Sequence, residues 1–456
     1  MRRIAISLAL VVASLSLAAM AEARHAARHH LRAVHAPTQP DQVIQWNQTL
    51  LSVIGAPGAQ PATVHPTRTI AITQLAVFDA VNAIVRAHGS YLPGLHVPRS
   101  ASPDAAAAAA AHDALVALLP GQTAAIDTKL QDSLAQLGDN EHVEQGIRVG
   151  QAAAAQILEA RQNDGAAATP PAFVPGVGPG EYQLTPPNFQ QPVFTHWGKV
   201  RPFALEAGDQ FRPPPPPAVT SPRYAADFNE VKSLGEINST TRSGDQTDIG
   251  RFWGAAPVQN VWNQIAQIAG VSSHNTLEQN ARMFAVLDAS IADGVIALYD
   301  SKYAYHRWRP VTAVRAGSND GNPETTGDPS WTPLAVTALD PSYAGAHATI
   351  SQAAAAALRE FFGSDRLDFS LTNPSLPGVV RSFQSFSQAS NEAAVSRIYA
   401  GQHFRYDEDA GQALGDEVGD FVSDSILDSA EHPRPSLFVH PIHRHRDHGR
   451  DWRSAA

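Results

Sequence analysis

Residues 276–306 read TLEQNARMFAVLDASIADGVIALYDSKYAYH and carry the strongest helical signal in the chain. Met283, Val286, Leu287, Ile291, Val295 and Leu298 recur at spacings of three and four, which predicts a long helix from about Thr276 to His306 with one apolar side. Further helices are expected after Pro341 through Ala348 to Phe362, over Asn391 to Tyr399, and over Glu408 to Ile426. Upstream, from about Val43 to Arg161, the pattern is again helical. Ile70, Val77, Val81 and Ile84 share a spacing, Asp104 is expected to cap an alanine-rich helix, and Gly138 and Gly165 mark stops. Strand signals are sparse, so the fold class is all-α, in helical bundles.

Between these stretches lies a different composition. Residues 166–222 hold 14 of the chain's 34 prolines, with Pro213 to Pro217 in a row. Proline fixes φ and removes a donor, so this stretch cannot be regular helix or central strand. A long irregular connection in a compact protein wraps the core or carries function. It therefore reads as a wrapping segment between a first helical half, 41–165, and a second, 223–430.

The ends and the bulk composition set further bounds. Arg2 and Arg3 precede an apolar run from Ile4 to Leu17, and Ala19-Met20-Ala21 fits the small-x-small cleavage rule, so residues 1–21 are expected to be a signal peptide. Secreted or periplasmic protein follows from that, with a flexible lead-in over 22–40 and no other span in the mature chain. The chain has no cysteine, which rules out thiol catalysis, thiolate haem and Cys-zinc sites. A net charge of -10 disfavours nucleic acid as a partner, so any anion site has to be built locally from clustered cations. The His/Arg-rich tail, 431–456, reads as a polar end able to hold metal weakly.

Three separated segments carry chemistry. In Lys302-Tyr-Ala-Tyr-His306-Arg307-Trp308-Arg309-Pro310, a spacing of seven brings Lys302 and Arg309 back to nearly one helical face. Two such cations also describe an ordinary solvated face. In Asp340-Pro-Ser-Tyr-Ala-Gly345-Ala346-His347, a turn leads into an alanine-rich helix whose first N–H groups can cradle an anion, with a histidine placed to exchange its proton. In Ser396-Arg397-Ile-Tyr-Ala-Gly401-Gln-His403-Phe-Arg405-Tyr-Asp407, His403 and Asp407 stand four apart, so a carboxylate can hold one imidazole nitrogen as N–H and leave the other free. Arg397 falls off that face in a continuous helix, and Gly401 is expected to break it and turn both groups inward.

Taken together, the K-x6-RP, PSxxxxH and SR-x5-H-x3-D blocks resemble those of the vanadium-dependent haloperoxidases, which share a fold with acid phosphatases of the type 2 phosphatidic acid phosphatase superfamily. The stretch Gln74-Leu-Ala-Val-Phe-Asp79-Ala-Val-Asn82 is also similar to soluble bacterial haloperoxidases. The resemblance implies that Lys302, Arg309 and Arg397 neutralise a vanadate or phosphate. It makes His403 the axial vanadium ligand, or the phosphorylated nucleophile of a phosphatase. His347 becomes the acid/base opposite, Asp407 the residue orienting His403, and Asp293 an acid pairing with the arginine of the first block. Implied substrates are hydrogen peroxide, a halide and an organic acceptor; the phosphatase alternative implies a phosphate ester and no cofactor, and a third possibility is a non-catalytic oxyanion-binding protein.

One departure stands out. The family's second block usually reads Pro-Ser-Gly-His, whereas here it is Ala344-Gly345-Ala346-His347. Gly345 replaces the serine that hydrogen-bonds the oxyanion, and the Ala346 N–H is the expected substitute donor. Losing one hydrogen bond to an anion costs about 1.5–3 kcal/mol.

Overall fold

The computed structural model of the protein describes residues 40–61 and 64–426. The expected signal peptide, residues 22–39 of the lead-in and the 431–456 tail lie outside the described residues. Five helices make the first half: α1 (Gln42–Ile54), α2 (His65–Val85), α3 (Pro103–Leu118), α4 (Thr123–Leu137) and α5 (Glu141–Arg161). After the wrapping segment come α6 (Pro222–Leu234), α7 (Gly244–Gly254), α8 (Val258–Ser272), α9 (Leu277–Tyr305), α10 (Pro310–Ala316) and α11 (Ala346–Phe362). A short antiparallel hairpin, β1 (Arg366–Thr372) with β2 (Val380–Ser385), precedes α12 (Phe386–Tyr399) and α13 (Arg405–Ile426). The class is helical, as expected, with this hairpin as a small addition.

Helix α9 is the axis of the structure. Thr276 and Gln279 close a reciprocal capping box at its start, each side chain accepting from the other's backbone N–H. From Asn280 to Lys302 every residue except Arg282 is buried. The expected single apolar side is thus corrected: small residues (Ala281, Ala285, Ala289, Ala292, Ala297) fill the other faces, and a helix apolar all round belongs in a core. On one flank α9 packs on α2, and on the other on α11 and α13. One hydrophobic core therefore runs through both halves, and the described residues from Gln42 to Ile426 fall in one compact unit. Helix α2 is long and apolar enough to cross a membrane, but 89% of its apolar window is buried inside this unit.

Both halves use the same packing device. The alanine run of α3 receives α5, and the alanine run of α11 receives α13. At the second contact a Cβ on Gly415 would lie 2.4 Å from the Thr349 carbonyl oxygen; at the first, one on Gly150 would lie 2.4 Å from that of Ala106. Glycine is required there because the two backbones touch. The cap of α3 is Ser102, whose side chain accepts from the Ala105 N–H, with Pro103 beginning the helix; Asp104, expected as the cap, is already inside the first turn.

The proline-rich segment wraps the C-terminal end of α9. Its proline carbonyls, free of any ladder, accept from side chains of the site blocks: Tyr305 to Pro213 at 2.6 Å, Tyr343 to Pro214 at 2.6 Å, and Arg307 to Pro217 at 3.0 Å. Backbone bridges Tyr182–His306 and Gly180–Trp308 add to it. The segment braces the loop that carries Arg309.

Candidate oxyanion site

Lys302 and Arg309 do meet, but not on one helix face. Helix α9 stops at Tyr305, His306 takes a left-handed conformation (φ 49°), and Arg309 is extended, as the residue before a proline favours. Pro310 begins α10 rather than ending α9. The two cations converge on Asp340 instead. The Lys302 ammonium lies 3.2 Å from Asp340 Oδ1 and donates to the Pro341 carbonyl at 2.5 Å. Arg309 pairs with the same carboxylate oxygen and donates from Nε to the Asp340 carbonyl at 2.8 Å. Tyr299 supplies a third donor, to Oδ2, at 3.0 Å. Burial alone would raise the Asp340 pKa, but the two cations and the Tyr299 hydroxyl outweigh it and hold the carboxyl below its ordinary value. Burial pulls Lys302 down to about 8, against the attraction of Asp340.

Arg309 also joins this cluster to the third block. Its Nη1 lies 3.0 Å from His403 Nε2 and donates to the Gln402 carbonyl at 3.1 Å. Gly401, at φ 72°, breaks the chain between α12 and α13, as expected, so His403 sits in the loop before α13. Asp407 lies in the first turn of α13, where Oδ2 accepts from the Phe404 N–H at 2.9 Å and from Ser342 Oγ at 2.5 Å. His403 Nδ1 is 3.3 Å from the same oxygen and 3.3 Å from Ser342 Oγ. Nδ1 therefore carries the hydrogen, and the Nε2 lone pair faces the arginine. Burial, then the charges of Arg309, Lys302 and Arg397, push the His403 pKa well below its usual value, so the imidazole is neutral. Burial raises Asp407 to about 6, against the hydrogen bonds it accepts.

Arg397, in the last turn of α12, is buried, and among the described residues its Nε and Nη1 have no hydrogen-bond partner. Burial lowers its pKa to about 10. The Glu408 charge offsets part of that cost, but a buried guanidinium with two donors unmet is poised for an anion. His347 is half-buried in the first turn of α11, and its Nε2 faces the Trp253 carbonyl at 3.0 Å. A carbonyl only accepts, so Nε2 is the protonated nitrogen and Nδ1 is left basic. Burial and the nearby Arg397 charge hold this imidazole well below its normal pKa. Ala346 is the first residue of α11, where backbone N–H groups lack helical acceptors. The Gly345 N–H is already engaged by the Asp407 carbonyl at 2.8 Å.

One expectation changes. Asp293 does not pair with an arginine of the first block. Its carboxylate accepts from the backbone N–H groups of Phe203 (2.6 Å), Ala204 (2.7 Å) and Leu205 (2.9 Å), anchoring the wrapping segment to α9. The acid that Arg309 uses is Asp340, because the second block delivers it to the end of α9. His306 turns to the surface and packs edge-on against Phe173, 5.0 Å between ring centres.

Sequence reasoning assigned no site role to Ser342, the Trp253 carbonyl or Glu408. Ser342 stands in the Pro-Ser pair of the second block and Glu408 follows Asp407, so proximity to the motifs was a usable signal for both. Trp253 lies far from any motif. Glu408 is buried, with Oε1 3.7 Å from His403 Nδ1, and neither of its oxygens has a hydrogen-bond partner. Burial and the Asp407 charge hold its pKa well above the usual carboxylate range.

The arrangement suits an anion rather than a metal cation. Among the described residues no group of three or more His, Cys, Asp or Glu side chains is placed to hold a metal ion. Lys302, Arg309 and Arg397 instead surround two neutral imidazoles, and a tetrahedral oxyanion such as vanadate fits this donor set, with the unmet donors of Arg397 as the direct sign.

The family model for the second helical-bundle domain of vanadium chloroperoxidase matches residues 282–432. Vanadium chloroperoxidase of Curvularia inaequalis is 25% identical over 296 residues, covering 50% of this chain and 48% of that enzyme, so the chain spans about half the length of this curated relative. The crystal structure of a bacterial vanadium-dependent iodoperoxidase superposes with a TM-score of 0.72 at 27% identity, over 85% of this chain and 95% of the other. A bacterial vanadium-dependent chloroperoxidase in its apo form, at 18% identity and a TM-score of 0.67 over 86% and 96% of the two chains, shares the fold. With its three sequence blocks assembled around a single cationic centre, the chain is similar in sequence and fold to vanadium haloperoxidases and matches their family model over its second helical half.

Proposed function

We propose that this protein binds vanadate between Lys302, Arg309, Arg397 and His403 and uses hydrogen peroxide to oxidise a halide, which then halogenates an organic acceptor. The observation that carries the reading is the contact of Arg309 Nη1 with His403 Nε2, 3.0 Å, together with a buried Arg397 whose Nε and Nη1 have no hydrogen-bond partner among the described residues. When bound, vanadate supplies Lewis acidity at its highest valence, so the oxidation needs neither haem nor flavin. The chain's own residues hold charge and move protons. The guanidinium forks and the Lys302 ammonium neutralise oxyanion charge in a buried site, where each interaction is strengthened. Asp407 and Ser342 fix the His403 tautomer so that Nε2 offers its lone pair. His347 Nδ1, which keeps its lone pair because Nε2 donates to the Trp253 carbonyl, is placed to accept a proton from incoming peroxide.

The leader-like start of the sequence supports export to the periplasm or beyond, which N-terminal sequencing of protein from the extracellular fraction tests. The activity is tested by loading purified protein with orthovanadate and following bromide-, iodide- and chloride-dependent halogenation of a dye. The unloaded form is assayed in parallel on a chromogenic phosphate ester. Halogenation that vanishes in His403→Ala is the expected result; ester cleavage without halogenation would make the protein a phosphatase instead.

A further inference from the structure

Gly345 and Glu408 form a matched pair. A Cβ placed on Gly345 would lie 2.5 Å from Glu408 Oε1, 2.7 Å from its carboxyl carbon and 2.9 Å from Oε2. The carboxyl group thus fills the volume in which a side chain at 345 would sit. Glu408 is 2% exposed; it lies 3.7 Å from His403 Nδ1 and feels the Arg397 charge, yet among the described residues neither of its oxygens is hydrogen-bonded. Arg397, whose charge Glu408 feels, likewise has no hydrogen-bond partner on Nε and Nη1 among the described residues. A buried polar group without a partner is costly, and two of opposite sign around one centre point to a ligand that completes both.

We infer that Glu408 is a contact residue of the oxyanion site, replacing the side chain absent at Gly345 and sharing a proton with one oxygen of the bound anion. This rests on the oxyanion reading given above. The proton is what reconciles a carboxyl group with an anionic ligand: hydrogen phosphate and hydrogen vanadate each carry one at neutral pH, and a hydrogen bond forms whichever partner holds it. Lys302 and Arg309 share the countercharge of Asp340, and the charge near Arg397 is that of Glu408, so a proton shared between Glu408 and the anion frees Arg397 for the anion's oxygens.

The experiment measures binding of orthovanadate and of inorganic phosphate to the full chain by titration calorimetry, independent of turnover. Glu408→Gln, which still donates, is expected to bind within about threefold of wild type. Glu408→Met, which fills the same volume without hydrogen bonding, is expected to bind at least tenfold more weakly. Gly345→Ser alone should also weaken binding, because its Cβ meets the carboxyl group, and Gly345→Ser/Glu408→Ala should regain affinity by restoring a hydroxyl donor. Thermal melting checks that each variant folds; should Glu408→Met fail to fold, the double variant decides. Equal or tighter binding by Glu408→Met, or no recovery in the double variant, would overturn the role of Glu408 while leaving the oxyanion site standing. Failure of wild type to bind either anion would remove both.

Discussion

Arg309 touches both a carboxylate and an imidazole: it pairs with Asp340 Oδ1 through Nη2 and approaches His403 Nε2 at 3.0 Å through Nη1. The arginine that contacts the candidate ligand nitrogen is therefore held by an acid from a different sequence block. Removing that acid leaves Lys302 and Arg309 buried without a countercharge. Asp340→Ala is expected to destabilise the fold by about 3–5 kcal/mol. Urea denaturation at neutral pH checks this, and a loss below 1 kcal/mol would show that the two cations are balanced elsewhere.

Lys302 links the site to pH. Its folded pKa, about 8, is depressed by burial, so in the empty protein the ammonium loses its proton within an accessible range. Anion affinity should fall as pH rises through about 8, and calorimetry in buffers spanning that value should show the slope. The depressed pKa has a second consequence with a fixed sign. Between the folded pKa and the ordinary lysine value of 10.5, the unfolded chain holds a proton that the folded chain has released. The unliganded fold therefore gains stability across that interval as pH rises, and Lys302→Met should lose both the gain and the affinity slope.

Asp293 acts on the wrapping segment rather than on the chemistry. Asp293→Ala strips three backbone N–H groups of their acceptor, at a cost of about 2–4 kcal/mol. Amide exchange should accelerate at residues 203–205 first. Halogenating activity should decline only as far as the Arg309 loop loosens; full loss of activity with unchanged exchange would return Asp293 to the catalytic set.

A second buried acid lies far from the site. Asp288, on α9, accepts from Asn263 Nδ2 at 2.8 Å through one oxygen, and its other oxygen has no hydrogen-bond partner among the described residues. Burial lifts its pKa to about 8. Its folded pKa is raised, so the fold binds the extra proton between the unfolded value of 3.8 and about 8, and stability drains as pH climbs through that window. Asp288→Asn should be close to neutral at pH 4 and stabilising by about 1–3 kcal/mol at pH 8. Chemical denaturation at the two pH values tests it, and equal effects at both would refute the assignment.

Much of the architecture was legible from the sequence because helices announce themselves locally. Apolar spacing marked α9, α11, α12 and α13, proline density marked the wrapping segment, and Gly401 marked the break that frees His403. The burial of α9 on every face was less visible, since alanine is compatible with either a surface or a packed interior until its neighbours are known. The path from Lys302 to Arg309 was misjudged for a related reason: a proline next to a helix end fits the start of a new helix as well as the stop of an old one.

The sequence by itself determined which residue types serve the site, because three blocks of Lys, Arg, His and Asp survive as local patterns. Tertiary structure alone decided who partners whom. Asp340 rather than Asp293 balances the first-block cations, and Glu408 occupies the space that Gly345 leaves open. Charge pairing is settled by distance and desolvation across segments remote in the chain, and neither quantity exists until the helices have packed.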